Sequence, residues 1–150
     1  MKYFSVAGGH ATTSAAALSD ETNFNIDLNG DSVIGPLTTK ASAGSVDLIT
    51  GSNGLVFAKD STGNIQAITW NGEQIGDKTW TDLSVVAAQT INGQNQFIAE
   101  HAISGDLQLF SADSNWAAQS NTDLIYNSTD YLAAESNFGV DFNENGILGS

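Results

Sequence analysis

Oxygen-bearing side chains stand at alternate positions in two short segments, one near each end of the chain: Asp27, Asn29 and Asp31, and then Asp141, Asn143 and Asn145. Hard cations such as calcium prefer carboxylate and amide oxygens, and a short loop with this spacing gathers such oxygens around one ion. If the two segments are numbered as EF-hand-like loops that begin at Asp27 and Asp141, position seven falls at Val33 and Ile147. At this position of an EF-hand a backbone carbonyl serves as the ligand. The sequence therefore predicts two calcium-binding loops.

Both predicted loops lack the complete set of EF-hand ligands. The first loop has Thr38 at position twelve, where an EF-hand carries a bidentate glutamate. Glu21 and Glu135 precede the two loops at the same distance. Each of these glutamates is either the missing carboxylate ligand or a residue that caps and solvates the segment before the loop. Because Asp141 is the one certain carboxylate of the second loop, we expect that loop to bind calcium more weakly than the first.

The similarity between the two ends of the chain extends upstream of the loops. One constant offset pairs Ser14 with Ser128, Leu18 with Leu132, and Phe24 with Phe138. A serine at the start of such a segment is a typical helix N-cap, because its hydroxyl accepts a hydrogen bond from an unpaired backbone N–H of the first turn. The sequence predicts a short helix before each loop, over residues 14–24 and 128–138.

The central part of the chain has the pattern of a β-meander. Short apolar or alternating runs flank turn residues at 55–59 and 65–70, and again at 96–100 and 107–111. The two hairpins align, with Ala58 matching Ala99 and Gln66 matching Gln108. Asn-Gly pairs at Asn53, Asn71 and Asn92 supply the positive-φ corners that such hairpins need.

These patterns together predict the fold class. We expect a mainly β protein, an antiparallel meander of about seven or eight strands arranged as a barrel or a sandwich, with a short helix and a calcium loop at each end. Residues 1–13 are predicted to be a flexible N-terminal segment, and residues 14–150 a single calcium-binding β-domain. A chain of 150 residues is long enough to bury one adequate core without disulfides, and cysteine is absent.

The charge of the chain limits its partners. Lysine and arginine together number 4 against 17 acidic residues, so the net charge is -13. Nucleic acids and anionic membranes are excluded as partners, because phosphate binding needs positive charge, whereas divalent cations are attracted. The sequence contains no apolar stretch long enough to span a bilayer. The apolar run at residues 3–7 is too short for a signal-peptide core, so a secreted location implies a longer exported chain.

The sequence raises two other classes of function, carbohydrate binding and catalysis. The three tryptophans suggest a carbohydrate-binding module, since sugars stack on exposed indole rings, and Trp80 in its polar stretch is the candidate platform. The alternative is that all three tryptophans belong to the core. Catalysis has little support, because His10 and His101 are the only histidines and no nucleophile motif is present. We therefore expect no enzymatic activity.

Several segments resemble a known family. NGEQIG at residues 71–76 and VVAAQTING at residues 85–93, together with the two acidic loops, are similar to the tryptophan-rich C-terminal repeat domain of large secreted proteins from cyanobacteria and other bacteria. The resemblance implies an extracellular module attached to exported enzymes or adhesins, and it implies no reaction. Two residues depart from the family pattern, Ser32 in place of glycine and Asn145 in place of aspartate.

The sequence thus favours a non-catalytic, calcium-binding module of a larger secreted or surface protein, located outside the cell. Its expected role is adhesion or structural stabilisation, with a glycan or a cell-surface component as a partner besides calcium. The alternative is a carbohydrate-binding module in which calcium is structural.

Overall fold

The computed structural model describes residues 37–150, which are mainly β. The predicted segment 1–13, the predicted helix over residues 14–24 and the first acidic loop lie outside the described residues. Ten strands and one helix follow one another, namely β1 (Thr38–Ala41), β2 (Asp47–Thr50), β3 (Val56–Lys59), β4 (Ile65–Ala67), β5 (Thr69–Trp70), β6 (Glu73–Gln74), β7 (Leu83–Ile91), β8 (Gln94–His101), β9 (Leu107–Ala112), β10 (Ala118–Leu124) and α1 (Thr129–Phe138).

The strands pair antiparallel with their neighbours in sequence, as expected for a meander. Strands β1 to β4 form one four-stranded sheet, β7 to β10 form a second, and β5 and β6 form a two-stranded ladder. Within residues 37–150 these sheets are open and form no closed barrel. The structure has more strands than the predicted number of about seven or eight, because β5 and β6 pair over only two residues each and give a weak sequence signal.

The turns at Asn71 and Asn92 close the β5–β6 and β7–β8 hairpins. Both asparagines have positive φ, 54° and 52°, and each is followed by a glycine with positive φ. Two successive residues in this conformation make a turn whose twist matches that of paired strands. At the third predicted corner only the glycine, Gly54, has positive φ (83°).

The internal repeat predicted from the sequence is confirmed by strand register. Ala58 lies opposite Gln66 in the β3–β4 hairpin, and Ala99 lies opposite Gln108 in the β8–β9 hairpin. Gly63 and Gly105, in the corresponding turns, have positive φ of 89° and 74°. The two hairpins therefore use equivalent residues at equivalent places in the two sheets.

The core lies between the two four-stranded sheets, and alternation along each strand decides which side chains enter it. Leu48 and Val56 from the first sheet are fully buried in the same cluster as Phe97 and Ala99 from the second. Ile98, between these last two residues, faces the other side of the second sheet.

Helix α1 covers that other side. Its residues Tyr131 and Phe138 are buried with Ile98 and Leu107 of the sheet in a second apolar cluster. Ser128 is the N-cap, and its side chain accepts a hydrogen bond from the Tyr131 amide, as the sequence predicts. The helix ends at Gly139, which has φ 68°, and the chain then enters the second acidic loop.

Candidate metal-binding loop

Only one of the two predicted calcium loops can be placed in the structure. Glu21, Asp27, Asn29, Asp31 and Val33, which make up the first predicted site, lie outside the described residues. The second loop follows α1 directly, so the end of the helix fixes where the loop begins.

Asp141 organises the turn of the second loop through both of its carboxylate oxygens. One oxygen accepts a hydrogen bond from the Asn145 amide (3.2 Å), and the other accepts one from the Gly146 amide (2.6 Å). Gly146 has φ 86°, a conformation that costs little only without a Cβ. The glycine predicted at position six is therefore required by the backbone of the loop.

In both asparagines of the loop, the side-chain oxygen accepts a hydrogen bond from the backbone amide two residues further along. Asn143 Oδ1 accepts a hydrogen bond from the Asn145 amide (3.1 Å), and Asn145 Oδ1 accepts one from the Ile147 amide (2.8 Å). Their side-chain NH₂ groups both donate to the Ser150 carbonyl, and that of Asn143 also donates to Asn127 Oδ1 (2.8 Å). These bonds fix which end of each amide is the oxygen.

The side-chain oxygens of this loop keep part of their capacity to accept bonds. Oxygens at positions 141, 143 and 145 all lie against the loop's own backbone, and each such oxygen has a second lone pair beyond the one already engaged. Ile147, whose carbonyl is the fourth predicted ligand, has an exposed side chain. No three histidine, aspartate or glutamate side chains within residues 37–150 form a group suited to a metal ion. The four predicted ligands of this loop thus comprise one carboxylate, two side-chain amides and one backbone carbonyl.

Glu135 is fully buried one turn before the end of α1 and holds the loop at two points. Its two carboxylate oxygens accept hydrogen bonds from the backbone amides of Asn143 (3.1 Å) and Gly149 (3.0 Å). Gly149 has φ 74°, and a Cβ there would overlap the Ser136 hydroxyl. The contacts therefore place Glu135 on the loop backbone, near both ends of the loop.

Two polar residues that the sequence did not single out join the residues between β10 and α1 to the β8–β9 turn and to the second loop. Asp106 follows the β8–β9 turn, and its carboxylate accepts a hydrogen bond from the Tyr126 amide (2.8 Å), which lowers the pKa of Asp106. Asn127, with φ 59°, accepts the side-chain hydrogen bond from Asn143. Both contacts join residues far apart in sequence, so local patterns carry no signal for them.

The tryptophans lie around a single aromatic cluster. Phe110 of β9 is stacked on Phe97 with ring centroids 4.5 Å apart, while Trp80 stacks on Phe110 at 5.8 Å and Trp70 meets it edge-on at 5.5 Å. Trp70 and Trp80 are half-buried and pack against the main core. The predicted ligand platform Trp80 thus has an extensive internal contact.

Trp116 joins the small ladder to the second sheet. It is buried despite a φ of 61°, and its carbonyl accepts a hydrogen bond from the Thr69 amide (3.1 Å). Bulky residues rarely adopt this left-handed conformation, so surrounding contacts must hold it in place. All three tryptophans therefore have structural contacts in the described part of the chain.

The fold and its loop define a class, a mainly antiparallel β-module that ends in a capped helix and an acidic loop. The chain belongs to the tryptophan-rich Synechocystis species C-terminal domain family, whose family model matches residues 46–149, from just before β2 to the end of the second loop. The family inferred from the sequence is confirmed. No curated protein and no solved structure compared with the chain matches it. Within residues 37–150, no helix has the length and apolar character needed to span a membrane.

Proposed function

We propose that this protein is a non-catalytic, calcium-binding extracellular module of a larger secreted or surface bacterial protein, in which calcium stabilises the fold for adhesion or structural support. The observation that carries the proposal is the second loop, where the side-chain oxygens of Asp141, Asn143 and Asn145 are ordered on the loop's own amides. Such ordering lowers the entropic cost of gathering ligands around an ion.

The extracellular location follows from the weakness of such a site. With one to three carboxylates per loop and no glutamate at position twelve, the dissociation constant should be on the order of 10⁻⁴ to 10⁻³ M, the range of extracellular modules. A site of that affinity is filled only where calcium reaches millimolar concentrations. The net charge of -13 favours cation binding for the same reason that it disfavours phosphate.

Calcium should stabilise the fold measurably. At about a hundredfold excess over the dissociation constant, a ligand that binds only the folded state adds roughly 2.7 kcal/mol per site. We expect the melting temperature to be clearly higher in 10 mM calcium than in chelator, and magnesium to have little effect because it demands tighter octahedral geometry. Thermal melts of the full chain in the three conditions measure this.

A matched pair of variants separates binding in the second loop from a general effect of charge. Asp141→Asn preserves the shape of the side chain and removes the only carboxylate among the side-chain ligands predicted at positions 141, 143 and 145, whereas Glu73→Gln makes the same charge change in the β5–β6 ladder. The calcium-induced rise should shrink in the first variant and persist in the second. Superimposable melts of the unmodified chain with and without calcium would show that the loops are ordinary turns.

The two loops should bind calcium unequally. The first offers carboxylates from Asp27 and Asp31, and the second offers only that of Asp141 as a certain ligand. In a calorimetric titration, Asp27→Ala should remove the tighter phase and Asp141→Ala the weaker one. Equal affinities, or loss of the tighter phase with Asp141→Ala, would contradict this assignment.

A further inference from the structure

The first sheet buries apolar side chains on the face that points away from the main core. Ile49 and Phe57 are each 4% exposed, and they belong to a cluster separate from the main core. The residues before them on the same strands, Leu48 and Val56, enter the main core, so alternation puts this pair on the outer face. Strand register places Ile49, Phe57 and Ala67 side by side across β2, β3 and β4, as the outer row of the first sheet.

The burial of this outer row indicates a cover. One face of an antiparallel sheet can stay open to water, and a phenylalanine on such a face keeps part of its ring exposed. Within residues 37–150, the cluster contains only Leu55 and Ala67 besides Ile49 and Phe57, and these side chains belong to the sheet or directly precede one of its strands. The segment that covers the row is therefore to be sought outside residues 37–150.

The second sheet provides a covered face for comparison. Its outer row consists of Ala87, Ile98 and Leu109, which lie side by side across β7, β8 and β9. Helix α1 covers this row, because Ala87 and Ile98 are buried in one cluster with Tyr131 and Phe138 of the helix. Leu109 packs against the same cluster.

The two outer rows are equivalent in the internal repeat. Phe57 matches Ile98 in the aligned hairpins, and its cross-strand partner Ala67 matches Leu109. In both sheets the strand before the hairpin supplies the third member of the row, directly opposite the first. The first sheet therefore presents the same kind of face as the one that α1 covers.

Residues 14–24 share the pattern with which α1 covers its row. The constant offset between the two ends of the chain assigns one residue of this segment to each buried side chain of α1. The positions of Tyr131, Ala134, Glu135 and Phe138 are taken, in this order, by Ala17, Asp20, Glu21 and Phe24. Two of the four, the glutamate and the phenylalanine, keep the residue type found in α1.

The other two positions differ in a way that suits the first sheet. Ala17 is smaller than Tyr131, whereas Phe57 on the sheet is larger than Ile98, so the summed volume changes less than either side chain does alone. Asp20 requires a place at the edge of the face, because a carboxylate without a partner is costly to bury.

The position of residues 14–24 in the chain allows them to reach this face. Residues 25–37 connect them to β1, which is the edge strand of the first sheet. Phe57 lies on β3, two strands away from β1, which corresponds to about 10 Å because neighbouring strands are about 4.8 Å apart. An extended chain covers about 3.3 Å per residue, so the connection is long enough.

We propose that residues 14–24 of this chain dock on the outer row of the first sheet, in the manner in which α1 covers the second sheet. The two similar segments would then close the two outer faces of the module, and each acidic loop would follow a segment held against a sheet. The docking contact is apolar and needs no calcium, so this proposal stands apart from the proposed function.

The first test is a cross-link within the full chain, which contains no cysteine of its own. Ala17→Cys is combined with Ala67→Cys in the outer row of the first sheet, and a short bis-maleimide is added. We expect an intrachain product in the monomer. The matched control combines Ala17→Cys with Thr122→Cys, which extends the outer row of the second sheet opposite Leu109, and it should give no such product.

The second test measures the protection of the row by thiol labelling. Ala67→Cys alone should react slowly in the folded chain. Adding Leu18→Asp and Phe24→Asp should raise its labelling rate by about tenfold or more, because charged side chains oppose docking on an apolar face and free the row. Circular dichroism of the same variant checks that the sheets remain folded, and the labelling rate of Thr122→Cys should not respond to the two changes.

The remaining outcomes would overturn the proposal. A cross-link between two molecules in place of the intrachain product would identify a second copy of the chain as the cover. An intrachain product with Thr122→Cys in place of Ala67→Cys would put the segment on the other sheet. Absence of any intrachain product, or labelling of Ala67→Cys that the changes at Leu18 and Phe24 leave unaltered, would show that residues 14–24 do not cover the row.

Discussion

Replacing Glu135 with alanine should lower the free energy of unfolding by about 2–4 kcal/mol, because it leaves two partly buried backbone amides without an acceptor. These amides belong to Asn143 and Gly149, near the two ends of the second loop. The loss should appear in urea unfolding followed by circular dichroism. It should also abolish calcium binding in the second loop, since the loop would no longer be held in its ordered form.

Two neighbouring variants make the result specific. Glu135→Gln keeps one oxygen acceptor but presents an NH₂ group to the other amide, so we expect an intermediate loss of stability. Ser136→Ala changes the adjacent, exposed helix residue and should have little effect. If Glu135→Ala and Ser136→Ala were equally stable, the buried carboxylate would not be what holds the loop.

Replacing Trp80 with alanine should cost about 2–4 kcal/mol, because the indole packs on Phe110 at the centre of the aromatic cluster. Trp80→Phe should recover most of this, since a phenyl ring can still stack there. Denaturant unfolding of both variants measures the difference.

The same variants decide between a core role and a ligand platform for Trp80. We expect the folded fraction of Trp80→Ala to be retained on immobilised polysaccharides to the same extent as the parent protein. Retention that is lost in a variant as stable as the parent would favour the carbohydrate-binding alternative over the core role.

Features that depend on neighbouring residues were predictable from the sequence. The N-cap at Ser128 and the helix after it were predictable because a hydroxyl and a free amide three residues apart interact locally. The Asn71 and Asn92 corners were predictable because Asn-Gly pairs adopt positive φ at low cost. The pairing of Trp70 with Glu73 and of Ile91 with Gln94, next to these turns, follows from them.

Features that depend on distant residues were not predictable in the same way. The sequence leaves the role of Glu135 open, because its burial depends on the sheet beneath α1 and its partners lie in the loop. Trp80 lies in a polar stretch between β6 and β7, and its partner Phe110 belongs to strand β9, thirty residues further along. The Tyr131 hydroxyl has no hydrogen-bond partner within residues 37–150, which is visible only once the surrounding side chains are placed.

Strand β10 forms one outer edge of the second sheet, and along most of its length its side chains are exposed and polar. An open edge displays unpaired backbone groups that can recruit a strand from another molecule. Short polar side chains and the charge of Asp123 make such pairing unfavourable, because it would bury them without compensation. Extension of the second sheet by a second copy of the module pairing at the β10 edge is therefore disfavoured, so this edge is protected against sheet-to-sheet fusion.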